Sequence, residues 1–483
     1  MKKSPKHYDV IVIGAGPAGY VAAIRCAQLG LKTACIDHWT GKDKQHSMGG
    51  TFLNAGCIPA LTLLESAKLY RTITEQSAIH GIRVSKAELD IAEMIQHKDE
   101  VLRSLSDHIA QLFDSNQIDC IFGTAQLMDA KIVQVHPIEK SSKAYLLECD
   151  NVILATGSSS VDIDAARIDG DKIVESYTAM NFSSVPKRLG IIGAGVIGLE
   201  HASIWARLGS KVTLFDAQND FLGFVDDQIV DEALKIYSKQ GLDIRFRARV
   251  TATKKTPKSV RIEYEDPDSS HQLSVDKLIV AVGRKPNSEN LASAEANLLL
   301  DENGFVHVDE QCMTNLPGVF AIGDLVQGPM LAHKGAEEGI LAAEVISGKE
   351  RSLHYSVIPN VIYTEPAIAW VGQTEQHLRS TGEPIKIGIF PFSANACALS
   401  TGKSIGMVKI ISQKYSDQIL GVHIINPCAS ELIAEAVLAM EFSASTEDLA
   451  RTVHAHPSLS KALHEAAMAI DNRALHIPPS ETH

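Results

Sequence analysis

The stretches Gly14-Ala15-Gly16-Pro17-Ala18-Gly19 and Gly193-Ala194-Gly195-Val196-Ile197-Gly198 decide the fold of this 483-residue chain. Each follows a short apolar run that predicts a buried strand, at 8–13 and 189–192, and leads into a run that predicts a helix, at 20–29 and 199–208. A strand, a tight glycine turn and a helix form a phosphate-binding unit, because free N–H groups at the helix start favour negative charge. The pattern predicts two dinucleotide sites in one α/β chain.

Each copy also has an acidic residue at the end of its next predicted strand. The same displacement of 179 residues separates Gly14 from Gly193 and Asp37 from Asp216. One such glycine motif is weak, but two copies with equal spacing argue against two ordinary turns. A carboxylate at this place can accept both ribose hydroxyls of an adenosine and would repel the 2′-phosphate of NADP. No arginine directly follows Asp216, so we predict NAD rather than NADP at the second site.

Charge and cysteine spacing argue against several other kinds of protein. The formal net charge of −13 offers no general attraction to nucleic acid or anionic lipid. No apolar run near the start approaches the ~18 residues of a membrane span, and no signal segment is apparent. The eight cysteines lack CxxC or metal-ligand spacing, so we predict reduced thiols, no metal site and a cytoplasmic protein.

The predicted elements divide the chain into three domains. A first Rossmann-like dinucleotide-binding domain is discontinuous and takes residues 1–150 and 284–350. A second such domain takes residues 151–283, although the strand at its start could still belong to the first sheet. Alternating strands and helices in residues 351–483 predict a C-terminal α+β domain.

Three strands that end on glycine motifs extend these nucleotide sheets. We predict them at 152–157, 278–284 and 319–324. The last places Asp324 at the carboxyl end of a strand, where polar contacts to a ligand usually lie, although a helix cap would also explain this residue.

Further motifs identify a family resemblance over nearly the whole chain. They are Gly49-Gly50-Thr51, Asn54-Ala55-Gly56-Cys57-Ile58-Pro59, Ala155-Thr156-Gly157-Ser158, Ala281-Val282-Gly283-Arg284, Met330-Leu331-Ala332-His333 and Val453-His454-Ala455-His456-Pro457. The chain resembles the dihydrolipoamide dehydrogenase type of the pyridine nucleotide-disulfide oxidoreductase family. The resemblance implies a homodimer with FAD, NAD and C-terminal interface domains, in which each active site takes His456 from the neighbouring subunit.

The resemblance also assigns residues to the two cofactors. It implies FAD contacts at Gly14, Gly16, Gly19, Asp37, Gly50, Thr51, Ala125, Thr156, Gly157, Asp324 and Ala332. It implies NAD contacts at Gly193, Ala194, Gly195, Val196, Ile197, Gly198, Asp216, Val250 and Gly283. Members of the family oxidise dihydrolipoamide through a redox disulfide and pass the electrons through FAD to NAD.

The redox disulfide of the family is incomplete in this chain. Its two cysteines have four residues between them, but Phe52 stands at the first position and only Cys57, the inner thiol, remains. Disulfide exchange needs a second thiol to resolve the mixed disulfide, so the ordinary two-thiol cycle cannot run. The larger phenylalanine could also fill the channel by which a lipoyl arm would arrive.

Two other members of the catalytic relay are replaced as well. Leu61 stands where the family has a lysine paired with a glutamate, which is retained here as Glu200, and loss of that cation should raise the glutamate pKa. Lys461 stands where a glutamate orients the base histidine, and a cation near His456 should lower the histidine pKa.

Three functions are compatible with this pattern. The first is an FAD-dependent NAD(H) oxidoreductase whose electrons leave to a quinone, dye, oxygen or partner protein. The second is a reductase of peroxides or small disulfides that cycles through Cys57 alone. The third is a non-catalytic protein that holds both nucleotides, docked on a lipoyl-carrying protein or a 2-oxo acid dehydrogenase complex.

Overall fold

The computed structural model describes residues 6–41, 45–139 and 142–478. Its α-helices are α1 (Pro17–Gln28), α2 (Gly50–Ala55), α3 (Cys57–Arg71), α4 (Ile91–Ser115), α5 (Ser176–Ala179), α6 (Val196–Arg207), α7 (Asp227–Lys239), α8 (Ala332–Ile346), α9 (Glu375–Ser380), α10 (Ala396–Ser400), α11 (Ala429–Glu441), α12 (Thr446–Arg451) and α13 (Lys461–Ala469).

The described residues also form twenty-one strands. They are β1 (Lys6–Ile13), β2 (Thr33–Asp37), β3 (Asp119–Asp129), β4 (Ile132–Pro137), β5 (Tyr145–Leu154), β6 (Ser158–Ser160), β7 (Ile173–Val174), β8 (Arg188–Ile192), β9 (Lys211–Phe215), β10 (Asp243–Arg245), β11 (Arg249–Lys255), β12 (Val260–Glu265), β13 (Ser270–Val275), β14 (Lys277–Val280), β15 (Arg284–Pro286), β16 (Val319–Ala321), β17 (Asn360–Ile362), β18 (Ala367–Gly372), β19 (Ile385–Pro391), β20 (Met407–Gln413) and β21 (Ile419–Asn426).

The residues group into two compact units. The first unit comprises Met1–Leu63, Asp90–Val161 and Val282–Leu353, and the second comprises Leu64–Leu89, Asp162–Ala281 and His354–His483. The first unit therefore has nearly the two-segment outline predicted for the first domain, without residues 64–89. The second unit contains most of the predicted second and third domains, whose separation remains a prediction.

A parallel sheet forms the centre of the first unit. Strand β1 lies between β2 and β5, β16 pairs with β5, and β3 pairs with β2, all in parallel, while β4 joins β3 and β5 by antiparallel pairing. Helices α1 and α8 pack closely because Gly339 faces the backbone of α1: a Cβ on Gly339 would lie 2.5 Å from the oxygen of Ala18. The strand predicted at 152–157 is the end of β5 and belongs to this first sheet, the alternative that the sequence left open.

The second unit contains a parallel sheet in the order β10-β9-β8-β14-β7 and two antiparallel sheets, β11-β12-β13 and β17-β18-β21-β20-β19. The last of these sheets and the helices around it confirm the α+β character predicted for the C-terminal part.

A buried ion-pair cluster lies beside β20. The ammonium of Lys409 is 2.7 Å from Oδ1 of Asp226 and 2.6 Å from Oε2 of Glu375. Asp226 also caps the start of α7, since its carboxylate accepts from the amide of Gln228.

One predicted strand is wrong. The run at 278–284 does not form a single strand, because β14 ends at Val280 and Arg284 begins β15, which pairs with β6 in a separate two-stranded sheet. The break has a backbone cause: Gly283 has a φ of +127°, which is incompatible with a continuing β-strand.

Candidate dinucleotide and redox sites

The first glycine turn is held by contacts that only glycine permits. Gly14 has a φ of +106°, and a Cβ there would lie 2.3 Å from the oxygen of Ala155. A Cβ on Gly19 would lie 1.8 Å from the oxygen of Gly14, so these two glycines are required by the packing of the turn itself. Pro17 then begins α1, where its fixed φ is favourable and its missing N–H costs nothing.

Gly16 differs from both, because nothing lies within 4 Å of the position of its Cβ. Its φ of −70° and ψ of −178° are open to any residue. The space stands in front of the first amides of a twelve-residue helix, where an anion is favoured. This cradle fits a dinucleotide pyrophosphate, as the sequence predicts.

The carboxylate of Asp37 closes the first turn. Its Oδ1 accepts from the amide of Ala15 at 3.2 Å, and its Oδ2 accepts from the amide of Trp39 at 3.2 Å. The side chain is buried at the carboxyl end of β2, beside the glycine turn. A carboxylate held this way keeps further lone pairs for a ribose.

The second turn repeats this geometry in the second unit. Gly193 has a φ of +99°, a Cβ on Gly198 would lie 1.9 Å from the oxygen of Gly193, and Gly195 again has nothing within 4 Å. Oδ2 of Asp216 accepts from the amide of Ala194 at 3.0 Å, as Asp37 does for Ala15. The two copies of the motif therefore share the hydrogen bond from the turn to the strand-end carboxylate and the open space beside the middle glycine.

The segment after β5 is tied to the segment after β14. Oγ1 of Thr156 donates to the oxygen of Asn287 at 2.8 Å, and Nδ2 of Asn287 donates to the oxygen of Thr156 at 3.0 Å. The amide of Asn287 also donates to the oxygen of Gly157 at 2.9 Å. Thr156 and Gly157 are thus held by hydrogen bonds to Asn287 within the first unit.

Asp324 lies in a network that the sequence did not predict. The hydroxyl of Ser158 donates to Oδ2 of Asp324 and accepts from Nε of Arg284 at 2.7 Å. Burial lowers the pKa of the Arg284 guanidinium, while the charges of Asp324 and Cys57 act in the opposite direction. The guanidinium therefore lies within electrostatic range of the retained thiol.

The turn that carries Asp324 is fixed from α8. Oε2 of Glu338 accepts from the amide of Gly323 at 2.7 Å, and the ammonium of Lys334 donates to the oxygen of Gly323 at 3.1 Å. Both side chains are buried and paired with each other. The short strand β16 thus ends in a rigid turn rather than in the longer strand predicted to Asp324.

Cys57 is exposed at the first residue of α3. Phe52 belongs to α2, and its partly buried ring packs against the hydrophobic core of the first unit. Leu61, one turn beyond Cys57, is 44% exposed. One turn along α3 from the thiol, this chain therefore has an apolar side chain at the position where the family has a lysine.

Glu200 lies on α6 of the second unit, where Oε1 accepts from the amide of Tyr363 at 3.0 Å. Desolvation by the surrounding protein raises its pKa to about 7, and the hydrogen bond from Tyr363 offsets only part of that effect. The side chain still reaches the surface in part. The direction agrees with the expected effect of losing the paired lysine.

His456 is exposed and precedes Pro457 across a cis peptide bond. The ammonium of Lys461 lies 3.0 Å from Nδ1 of His464, so its cation acts on that ring. The pKa of His464 is lowered by burial and by Lys461. The expected effect of Lys461 on His456 itself stays a prediction. His454, by contrast, has a carboxylate partner in Glu435.

The remaining predicted contacts are dispersed over the two units. Gly50 packs directly on the first turn, since a Cβ there would lie 2.7 Å from Cα of Gly16, and Thr51 follows it in α2. Ala125 lies in β3 opposite Val135, and Ala332 is the first residue of α8. Val250 is buried in β11. Gly283 belongs to the first unit, whereas the other predicted NAD contacts belong to the second.

The described residues contain no membrane-spanning helix and one group of possible metal ligands. Within them, no helix is long and apolar enough to cross a bilayer. His7 and Asp9 on β1 and Asp150 on β5 are exposed or partly exposed and bring possible metal-ligand atoms within 4.8 Å of one another, a grouping that the cysteine and histidine spacing did not suggest. Exposed groups of this kind are common without an ion, and we assign no site to them.

Comparison with known proteins agrees with this architecture. Residues 8–339 match the family model of pyridine nucleotide-disulphide oxidoreductases, and residues 358–467 match the dimerisation domain of the same family, which supports the predicted homodimer. The chain is 43% identical to a dihydrolipoyl dehydrogenase of Cupriavidus necator, over 98% of this chain and all of that protein.

Solved structures give the same result for the fold. LpdA of Mycobacterium tuberculosis has a TM-score of 0.87 and 23% identity, covering 96% of this chain and 99% of that one. RclA of Escherichia coli, an HOCl-induced flavoprotein disulfide reductase, has a TM-score of 0.83 and 26% identity, covering 95% and 99%. This chain belongs to the pyridine nucleotide-disulphide oxidoreductase family, whose dihydrolipoyl dehydrogenases are flavoprotein oxidoreductases that use FAD and NAD(H).

Proposed function

We propose that the chain is an FAD-dependent NAD(H) oxidoreductase in which hydride exchange between NAD(H) and FAD is retained and ordinary dithiol–disulfide exchange is absent or crippled. The observation that carries the proposal is the pair of open glycine cradles, Gly16 and Gly195, each closed by a strand-end carboxylate. Phe52 in place of the first redox cysteine supports the second half of the proposal.

The residues of the chain bind and orient the two nucleotides. The first turn, with Asp37, is assigned to FAD, and the second, with Asp216, to NAD(H). Bound FAD supplies the hydride chemistry, and the protein supplies position. The Asp324–Ser158–Arg284 network would hold the polar part of the flavin nucleotide near the start of α3, where Cys57 lies.

Three replacements support the loss of lipoamide chemistry. Phe52 removes the thiol that would receive the substrate sulfur, and its ring is fixed against the core of the first unit. Leu61 presents an apolar, half-exposed side chain where a cation is expected. Lys461 makes its contact with His464 and offers His456 no carboxylate.

We therefore expect electrons to leave to a quinone, a dye, oxygen or a partner protein, in a cytoplasmic homodimer. Dihydrolipoyl dehydrogenase relatives suggest docking on a lipoyl-carrying protein or a 2-oxo acid dehydrogenase complex as one partner. The alternative function that the same resemblance allows is a protein that docks on such a complex and binds both nucleotides without catalytic turnover.

Anaerobic titration of the FAD-loaded protein with NADH tests the proposal. We expect NADH to bleach the flavin absorption band and the reduced protein to pass its electrons rapidly to an artificial quinone. In a separate assay with NAD+ as the acceptor, we expect dihydrolipoamide to be oxidised only slowly. An unchanged band would mean nucleotide binding without hydride transfer. Rapid dihydrolipoamide turnover would contradict the proposed loss of dithiol chemistry.

A second candidate rests on the position of Cys57. The thiol is exposed at a helix start, where free amides favour the thiolate, and Arg284 lies within electrostatic range. The thiolate could attack a peroxide oxygen, forming a sulfenic acid as the O–O bond breaks and water or an alcohol leaves. Dimedone labelling after peroxide would support it, whereas unchanged NADH–peroxide turnover in Cys57→Ser would exclude it.

A further inference from the structure

His46 lies beside the carboxylate that closes the first glycine turn. After β2, residues 45–47 run back beside residues 39–41: the amide of Gly41 donates to the oxygen of Gln45 at 2.8 Å, and the amide of Ser47 donates to the oxygen of Trp39 at 3.1 Å. This return places Nε2 of His46 at 3.6 Å from Oδ2 of Asp37. No sequence motif pointed to this histidine.

The orientation of the ring is fixed by its other neighbours. Nδ1 lies 3.8 Å from Sγ of Cys120, and the ring centroid lies 4.5 Å from that of Phe122, both on β3. Nε2 is buried, and within the described ranges no partner lies at hydrogen-bond distance from it. Its separation from Asp37 exceeds an ordinary hydrogen bond. A buried donor left in this position costs free energy unless a ligand satisfies it.

The two atoms together match a hydroxyl group. A hydroxyl can donate to the carboxylate of Asp37 and accept from Nε2 of His46 at the same time, because it carries one donor and two acceptor positions. Two atoms 3.6 Å apart can both reach one oxygen at ordinary hydrogen-bond distances of about 2.8 Å. Asp37 is the residue assigned to the adenosine ribose, so a ribose hydroxyl is the hydroxyl expected here.

We propose that His46 is a further binding residue of the first dinucleotide site, donating from Nε2 to an adenosine ribose hydroxyl that in turn donates to Asp37. The inference rests on the proposed assignment of this site to FAD. It adds to the predicted FAD contacts a donor that recognises the adenosine half of the cofactor and leaves the flavin half untouched.

The charge state of the ring supports this role. Burial lowers the pKa of His46, but its contacts with Asp37 and Cys120, the titratable groups that act on it from β2 and β3, raise it to about 9 overall. At neutral pH the imidazolium therefore has a proton on Nε2 to donate. A charge-assisted hydrogen bond of this kind is stronger than a neutral one.

The test compares FAD with analogues that lack the adenosine 2′- or 3′-hydroxyl. His46→Phe keeps an aromatic ring beside Phe122 but has no donor, and His136→Phe, an exposed position on β4, is the matched control. We expect about tenfold weaker FAD binding for His46→Phe and unchanged binding for the control. One of the two analogues should lose clearly more affinity against wild type than against His46→Phe, because in the variant only the hydrogen bond to Asp37 remains to be lost.

Additive losses in the variant and the analogues, or unchanged FAD affinity of His46→Phe, would overturn the proposal. Should His46→Phe fail to fold, His46→Gln retains a side-chain donor and should bind FAD within a fewfold of wild type, with the same analogue losing affinity. The wild-type affinity should also fall as pH rises through about 9, more steeply than in His46→Phe. A wild type that binds no FAD refutes the proposed function instead.

Discussion

Substituting two glycines of the same turn should have opposite consequences. Gly16→Ala adds a methyl group where nothing lies within 4 Å, at dihedral angles open to alanine. Gly19→Ala adds the same methyl 1.8 Å from the oxygen of Gly14 and 3.2 Å from Cβ of Ala155. We expect the first change to impair the binding of FAD and the second to impair folding.

The magnitudes follow from these distances. At Gly16 the loss of a helix N-cap glycine, about 0.5–1 kcal/mol, is offset by the smaller entropy of the unfolded chain, about 0.4–1 kcal/mol, so stability should hardly change. A methyl in the space of a phosphate should cost about 1–3 kcal/mol in binding, which is roughly 5- to 150-fold in affinity. At Gly19 a similar overpacking cost falls on the fold and should lower the melting temperature by several degrees.

Thermal melts without added FAD and flavin fluorescence titrations separate the two effects. Gly16→Ala should have the melting temperature of the wild type and bind FAD weakly, whereas Gly19→Ala should have a lower melting temperature. Wild-type FAD affinity in Gly16→Ala would refute the idea that the pyrophosphate lies against this glycine. Gly195→Ala and Gly198→Ala repeat the comparison for NADH at the second turn, where the corresponding Cβ distance is 1.9 Å.

Phe52→Cys should form a disulfide but restore only weak dihydrolipoamide oxidation, because the other two altered relay positions remain; full family-level turnover would contradict this account. Lys409→Met should lower the denaturation midpoint strongly, since it leaves Asp226 buried without its cation, a loss of about 3–5 kcal/mol, while the exposed Lys414→Met should not. Because burial raises the pKa of Glu200 to about 7, the protein should lose stability as pH rises from about 4.5 to about 7, and Glu200→Gln should flatten this slope in urea denaturation series measured across that range.

The sequence predicts the local elements well because their signals are local. The strand predicted at 8–13 is found at Lys6–Ile13, and the strand predicted at 189–192 is found at Arg188–Ile192. The first helix begins earlier than predicted, at Pro17, because proline is suited to the first helical position and the last glycine of the motif already lies within the helix.

The contacts that the sequence missed are distant along the chain. Arg284 meets Ser158 across 126 residues, and no periodicity or composition signals such a pair. His46 reaches Asp37 because residues 45–47 pair with residues 39–41, directly after β2. The wrong strand at 278–284 has the same origin, since an apolar run cannot show that the chain turns at a glycine with positive φ.

The two open glycines carry more information about ligands than the rest of their motifs. Gly14, Gly19, Gly193 and Gly198 either have positive φ or would clash with backbone, so the fold alone accounts for them. The fold does not account for Gly16 or Gly195, since both have ordinary dihedral angles and open space, and a serine or aspartate would cap either helix at least as well. We infer that something outside the chain approaches the backbone closely at these two places, as a pyrophosphate would. Cys57 carries no comparable information, because an exposed thiol is compatible with the fold whether or not it reacts. The structure therefore supports nucleotide binding more strongly than thiol chemistry.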